Sequence, residues 1–114
     1  MDVIRVYKCL CDEQRLRILN LLQAGPLCVC HIQEILGESQ VKTSKQLGYM
    51  KKHGMVAVEK VGNWRVYRLA DPENPLLVEN LKCLQDCAGE HALFGDDLRR
   101  REALLETVED SSLL

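Results

Sequence analysis

The sixteen residues from Ser39 to Gly54, SQVKTSKQLGYMKKHG, constrain this chain more than any others, because they carry a helix start, a helix stop and no acid between them. Ser39 suits an N-cap, where its side-chain oxygen takes up an otherwise orphaned backbone N–H, and Gly54 suits the left-handed residue that ends a helix. Helical spacing puts Val41, Ser44, Leu47, Gly48 and Lys51 on one narrow inward stripe, the last lying along the surface by its stem. The opposite face then holds Gln40, Lys42, Thr43, Lys45, Gln46 and Lys52. These side chains donate to phosphate oxygens and base edges, and no carboxylate competes with them. Taken alone, the pattern is that of a solvated cationic helix face.

The following residues change that reading. Met55 to Lys60 and Trp64 to Leu69 are short runs rich in Val, Trp and Tyr, joined around Gly62-Asn63, a dipeptide suited to a tight hairpin turn. A cationic helix followed by a two-stranded ribbon is the layout of a winged helix. Residues 40–69 hold seven Lys or Arg against the single acid Glu59, a local balance of +6 in a chain whose net charge is −2. Positive charge gathered in one segment is the electrostatic footprint of a nucleic-acid-binding surface. Gln40, Lys42, Thr43, Ser44 and Lys45 on the helix, with Lys60 and Arg65 on the wing, are the candidate contacts to double-stranded DNA.

Here the sequence resembles the ArsR/SmtB winged-helix repressors of bacteria and archaea. The resemblance runs in order through YKCLCDEQRLRILNLL, GPLCVCHIQEIL, SQVKTSKQLGYMKKHGMV and GNWRVYRL, which together cover about the first 70 residues. It implies a mainly α fold with a small β-ribbon, a homodimer formed through the first and C-terminal helices, and a repressor that answers to a metal or a thiol reagent. It also implies that operator DNA is released on binding of the inducer.

The chain has 114 residues, 46% hydrophobic and 28% charged, which fits one winged-helix domain over residues 1–114. Within it, residues 39–54 form the recognition helix, 55–69 the wing, and 75–109 a C-terminal dimerisation helix and tail. So short a domain has a limited core, and burying a further face against a second copy would help it. Met1 to Arg5 lack the pattern of a secretory signal, and no apolar run reaches bilayer length. A cytoplasmic protein without membrane partners is expected, and its six cysteines are then free thiols or soft-metal ligands rather than disulfides.

Along the chain, Val3, Val6, Tyr7 and Leu10 give a first helix one apolar side. Asp12 caps a second helix with Leu16, Ile18, Leu19, Leu21 and Leu22 inside and Arg15 and Arg17 outside. Ala24-Gly25-Pro26 ends it. Val29, Ile32, Ile35 and Leu36 line a third helix that stops at Gly37. Past the ribbon, Asp71-Pro72 and Asn74-Pro75 signal turns, and Leu76, Leu77, Leu81, Leu84 and Ala88 line a helix up to Gly89. Residues 96–109 can add a charged helix on which Leu98, Leu105 and Val108 face one way, and Asp110 to Leu114 fray.

The chemistry sits in the cysteines. Cys28 and Cys30, in LCVC, occupy the place where arsenic-responsive members of the family carry a thiolate pair. Residues two apart in a regular helix point about 200° apart, so both sulfurs reach one ion only where the backbone is unwound or at a helix start. The plainer reading is two small buried hydrophobes. The family's third cysteine within this helix is replaced by Gln33, so a third thiolate must come from Cys9, Cys11, Cys83 or Cys87. Cys9 suits packing, whereas Cys11 lies closer to a loop. His31 beside Cys30 does not make a thiol enzyme, because no Asn, Asp or oxyanion element accompanies the pair. His53 suits the last helical turn as a cation, and His91 could join Glu90 or Asp96 around a hard metal.

These readings converge on a repressor, not an enzyme, that needs no organic cofactor and takes As(III), or a comparably soft Sb(III) or Cd(II), as inducer at Cys28 and Cys30. The alternatives are a redox- or persulfide-sensing repressor of the same fold, with pairs such as Cys83 and Cys87 oxidising, and a constitutive winged-helix interaction module.

Overall fold

A computed structural model describes residues 3–70, 75–88 and 91–107. The described elements run α1 Val3–Leu10, α2 Glu13–Gln23, β1 Leu27–Cys28, α3 Val29–Leu36, α4 Gln40–Lys52, β2 Val56–Val61, β3 Trp64–Leu69, α5 Pro75–Ala88 and α6 Ala92–Thr107. The turn signals at 71–74, the stop at Gly89, and Val108 and the fraying tail lie outside the described residues.

The local signals read from the sequence act as expected. The Asp12 carboxylate accepts from the Arg15 N–H at 3.0 Å to start α2, and the Ser39 hydroxyl accepts from the Lys42 N–H at 3.2 Å to start α4. Gly37 ends α3 at φ 65°, and Gly54 follows α4 at φ 74°. Both values lie in the left-handed region that glycine enters at no steric cost.

The sheet departs from expectation. It has three antiparallel strands, in the order β1-β3-β2, rather than two. The wing hairpin β2–β3 closes at Gly62-Asn63 with Val61 opposite Trp64, and the short strand β1 pairs on the other edge of β3, Leu27 opposite Tyr67 and Cys28 opposite Val66. Two residues are too few to carry a periodic signal, and their partner lies about 40 residues downstream.

Helix α2 is the centre of the domain. Ile18, Leu19, Leu21 and Leu22 are all buried, and the helix touches α1, α3, α4, α5 and α6. With five helices packed on it, α2 turns Arg17 inward, where it is buried instead of pointing outward. Its guanidinium donates to both carboxylate oxygens of the fully buried Asp97, at 2.8 and 2.9 Å, and that bond raises the Arg17 pKa further. Arg15 is also drawn in: it donates to the Cys9 and Lys8 carbonyls at the end of α1 and to Gln46 of α4, and lies over the Tyr49 ring. A cation at a helix C-terminus meets the negative end of the helix dipole.

The C-terminal half holds a second departure. Helix α6 begins at Ala92, earlier than expected, and packs on α2 and α3. Besides Asp97 it buries Phe94, whose carbonyl accepts from Asn20, and Arg100 donates to the Ile35 carbonyl at the end of α3. Leu98 and Leu105 are half-buried as their spacing suggests. Helix α5 buries Leu77 and Leu81 as read. On α1 the buried side is Val6 and Cys9, while Val3 and Tyr7 stay 56% and 49% exposed. No helix among the described residues is long and apolar enough to cross a membrane.

Candidate functional site

Strand β1 sets up the thiol site. Cys28 is at once the last residue of β1 and the N-cap of α3, with extended backbone at φ −75° and ψ 156°. Pairing with β3 holds it there, so the chain turns into the helix between Cys28 and Cys30. This is the break in regular helix that a shared ligand requires, and the two Sγ atoms stand 2.8 Å apart.

Cys28 is buried and Cys30 is exposed as a residue, but the Cys30 thiol is turned onto Cys28. Desolvation there, followed by the hydrogen bond and charge of Cys28, pushes the Cys30 pKa up to about 11. The Cys30 thiol is therefore protonated at neutral pH, and a thiophilic ion would displace its proton, since the thiolate is the ligating form.

His31 joins them. In the sequence this residue is weighed only as half of a thiol-enzyme pair, yet at the helix start a ring nitrogen lies with both sulfurs in a group whose ligand atoms are all within 4.8 Å of one another. The ring is 8% exposed and its Nδ1 has no hydrogen-bond partner. Burial lowers the His31 pKa against the opposing pull of Glu34, which keeps the imidazole neutral. The signal that could have found it is a histidine directly following a cysteine pair at a strand-to-helix junction.

Among the described residues, Cys9, Cys11 and Cys83 are not part of this group. Cys9 is sealed in the core, while Cys11 and Cys83 are exposed. The Cys87 side chain lies outside the described residues, as does Glu90. His91 stacks on Phe94, ring centroids 4.7 Å apart, and among the described residues no metal-ligand group includes it.

The cationic surface is built by α4 and the wing. Gln40, Lys42, Ser44 and Lys45 are exposed, as are Lys51, Lys52, Lys60, Arg65 and Arg68. Thr43 is a correction: it is 1% exposed and shares the inward side with Leu47 and Met50. Val41, assigned to the inward stripe, is 65% exposed instead. Ser44, Gly48 and Lys51 face outward with it, so the helix is rotated from the expected orientation. Both β-branched residues suit a core equally in size; the neighbours Leu47 and Met50 decide in favour of Thr43. His53 caps α4 against the Tyr49 ring, and its pKa is lowered by desolvation and by Arg5, Lys52 and Arg15, so a neutral ring ends the helix rather than a cation.

On the wing, Lys60 and Arg65 sit directly opposite each other across the strands. Like charges so placed repel, and a phosphate between them removes the repulsion.

The sequence pattern of bacterial regulatory proteins of the arsR family matches residues 12–58. The arsenic resistance transcriptional regulator ArsR2 of Pseudomonas putida is 35% identical over 107 residues, 93% of this chain and 92% of that protein. The chain belongs to the ArsR family. It is a winged helix-turn-helix transcriptional regulator, α3 and α4 forming the helix-turn-helix. Among solved structures it is similar to the homodimeric winged helix-turn-helix DNA-binding domain of a possible ArsR-family regulator from Mycobacterium bovis, with 31% identity, 79% of this chain and 81% of that chain covered, and a TM-score of 0.63. The antimony-specific transcriptional repressor AntR superposes with a TM-score of 0.61 at 28% identity, over 78% of this chain and 81% of that one.

Proposed function

We propose that this ArsR-family regulator is a cytoplasmic repressor that binds operator DNA as a homodimer and releases it when As(III), or the similarly soft Sb(III), binds the Cys28 and Cys30 thiolates. The observation that carries the reading is the 2.8 Å approach of the two sulfurs at the junction of β1 and α3. That junction touches both DNA-facing elements. Helix α3 packs on α4, and Cys28 is laddered to the wing strand beside Arg65. An ion that alters the junction therefore has different affinities for the DNA-competent and DNA-released shapes, which is what coupling requires.

DNA contact falls to the exposed Gln40, Lys42, Ser44 and Lys45, with Lys60 and Arg65 reaching phosphates from the wing. The dimer forms through α1 and α5, where Val3 and Tyr7 leave apolar surface uncovered. As(III) takes three sulfurs; Cys11 and Cys83 are exposed and able to supply the third, whereas Cys9 is sealed in the core.

The test uses duplexes selected from a random pool by the reduced full-length protein, with binding followed by fluorescence anisotropy. Arsenite should release the duplex and dithiol should restore binding. Release by oxidant but not by arsenite would favour the redox-sensing alternative, and release by neither would leave a constitutive DNA-binding module.

A further inference from the structure

Resting on the reading that Cys28 and Cys30 are the sensor thiolates, we infer that His31 is a third ligand, binding through its unpartnered Nδ1, and that the site thereby accepts a divalent thiophilic cation such as Cd(II) or Zn(II) as a Cys2His centre. Two observations converge on this. One ligand atom from each of the three residues falls in a group no wider than 4.8 Å. Nδ1 is buried without a partner, an arrangement that costs free energy in the ion-free protein and is relieved by a ligated ion.

The donor set decides the ion. As(III) favours sulfur throughout, and imidazole nitrogen adds little to its binding. Tetrahedral d10 cations accept thiolate and imidazole together and leave a fourth position for water or a small thiol. With zinc–sulfur bonds of about 2.3 Å and zinc–nitrogen bonds of about 2.1 Å, neighbouring ligand atoms stand roughly 3.6–3.8 Å apart, and the larger Cd(II) spreads them further. The sulfurs must then separate from 2.8 Å while the imidazole closes in. Cys28 is held on β3 and His31 is buried on α3, so this rearrangement moves strand against helix at the junction itself.

The test titrates CdCl2 into reduced, metal-stripped full-length protein against a competing chelator. It reads the thiolate-to-cadmium charge-transfer absorption and, on 15N-labelled protein, the ring-nitrogen resonances of His31. Arsenite binding is measured in parallel. His31→Asn should weaken Cd(II) binding by at least the roughly 10–100-fold that loss of an outer-shell partner costs, leaving arsenite binding within about twofold of wild type. In the wild type, the Nδ1 resonance should shift on Cd(II) addition. Unmoved ring resonances, wild-type Cd(II) affinity in His31→Asn, or equal loss of both ions would overturn the assignment. If His31→Asn does not fold, the wild-type resonances alone decide. Failure of the underlying reading looks different: Cys28→Ser and Cys30→Ser would bind both ions as the wild type does.

Discussion

Arg17 and Asp97, eighty residues apart in sequence, meet as a two-bonded ion pair inside the domain. Helix α6 is thereby part of the domain rather than an appendage to it. Its next turn reaches the segment that carries Cys28 and Cys30 at both ends, Arg100 donating to the Ile35 carbonyl after it and Arg101 to the Pro26 carbonyl before it. The helix that carries the thiols is thus framed by α4 on one side and α6 on another.

Removing one member of this pair leaves the other charged and buried. Asp97→Ala should cost about 3–5 kcal/mol of folding stability, a large share of what a domain this size possesses. Urea denaturation followed by circular dichroism measures it. The double variant Arg17→Met, Asp97→Leu should recover most of the loss, because no lone charge remains; a double variant as unstable as the single would show that the damage lies in packing.

The rotation of α4 separates two threonine roles. Thr43 Oγ1 is buried without a hydrogen-bond partner, so Thr43→Val removes an unsatisfied polar atom at nearly constant volume. Stability should hold or rise by up to about 1 kcal/mol, with DNA affinity unchanged. A loss of affinity with intact folding would return Thr43 to the DNA face.

Gly48 tests the same face from outside. It sits mid-helix among exposed residues, and a Cβ built on it meets nothing within 4 Å. Gly48→Ala should therefore stabilise the free protein by about 0.5–1 kcal/mol through helix propensity alone. If α4 lies in the major groove, the added methyl stands between helix and bases, and DNA affinity should fall while stability rises. Equal affinity in the two proteins would place another face of α4 toward the DNA.

What could be read in advance followed from how local each signal is. Ser39, Gly37, Asp12 and Gly62-Asn63 act within a few residues of themselves, and each does in the structure what its chemistry suggests. Strand β1, the inward turn of Arg17 and the early start of α6 depend on partners about 40 to 80 residues away, which no periodicity reports. The orientation of α4 failed for a different reason. Its outer face carries an apolar Val41 and its inner face a polar Thr43, so hydrophobicity pointed the wrong way. The thiol pair was legible as a condition, a broken helix; His31 was not, because its place in the group depends on that break.

The exposed apolar side of α1 makes the dimer testable without truncation, which would remove Asp97 from the core. Tyr7→Lys puts a charge where Val3 and Tyr7 now present apolar surface, and leaves the buried Val6 and Cys9 in place. Sedimentation should show a monomer with wild-type helix content. DNA affinity should fall with it, since a two-fold dimer reads two half-sites about one helical turn apart. A monomer that kept full affinity for the intact site would remove dimerisation from the mechanism.

The switch itself is tested at the junction where Cys28 faces Val66 of the wing strand. Cys28→Ser and Cys30→Ser nearly conserve volume. Cys28 caps α3 by its backbone alone, with no side-chain capping hydrogen bond, so neither variant removes a helix cap. Both should bind DNA as the wild type does. Allosteric coupling is typically about 1–3 kcal/mol, so arsenite should lower wild-type affinity roughly 5 to 150-fold and that of either variant hardly at all. Anisotropy titrations with and without arsenite read this directly, and the same titration on Cys9→Ser, Cys11→Ser, Cys83→Ser and Cys87→Ser identifies the third sulfur. Should both junction variants still release DNA at wild-type arsenite concentrations, the sensor lies elsewhere, and the exposed Cys83 on α5 becomes the residue to pursue.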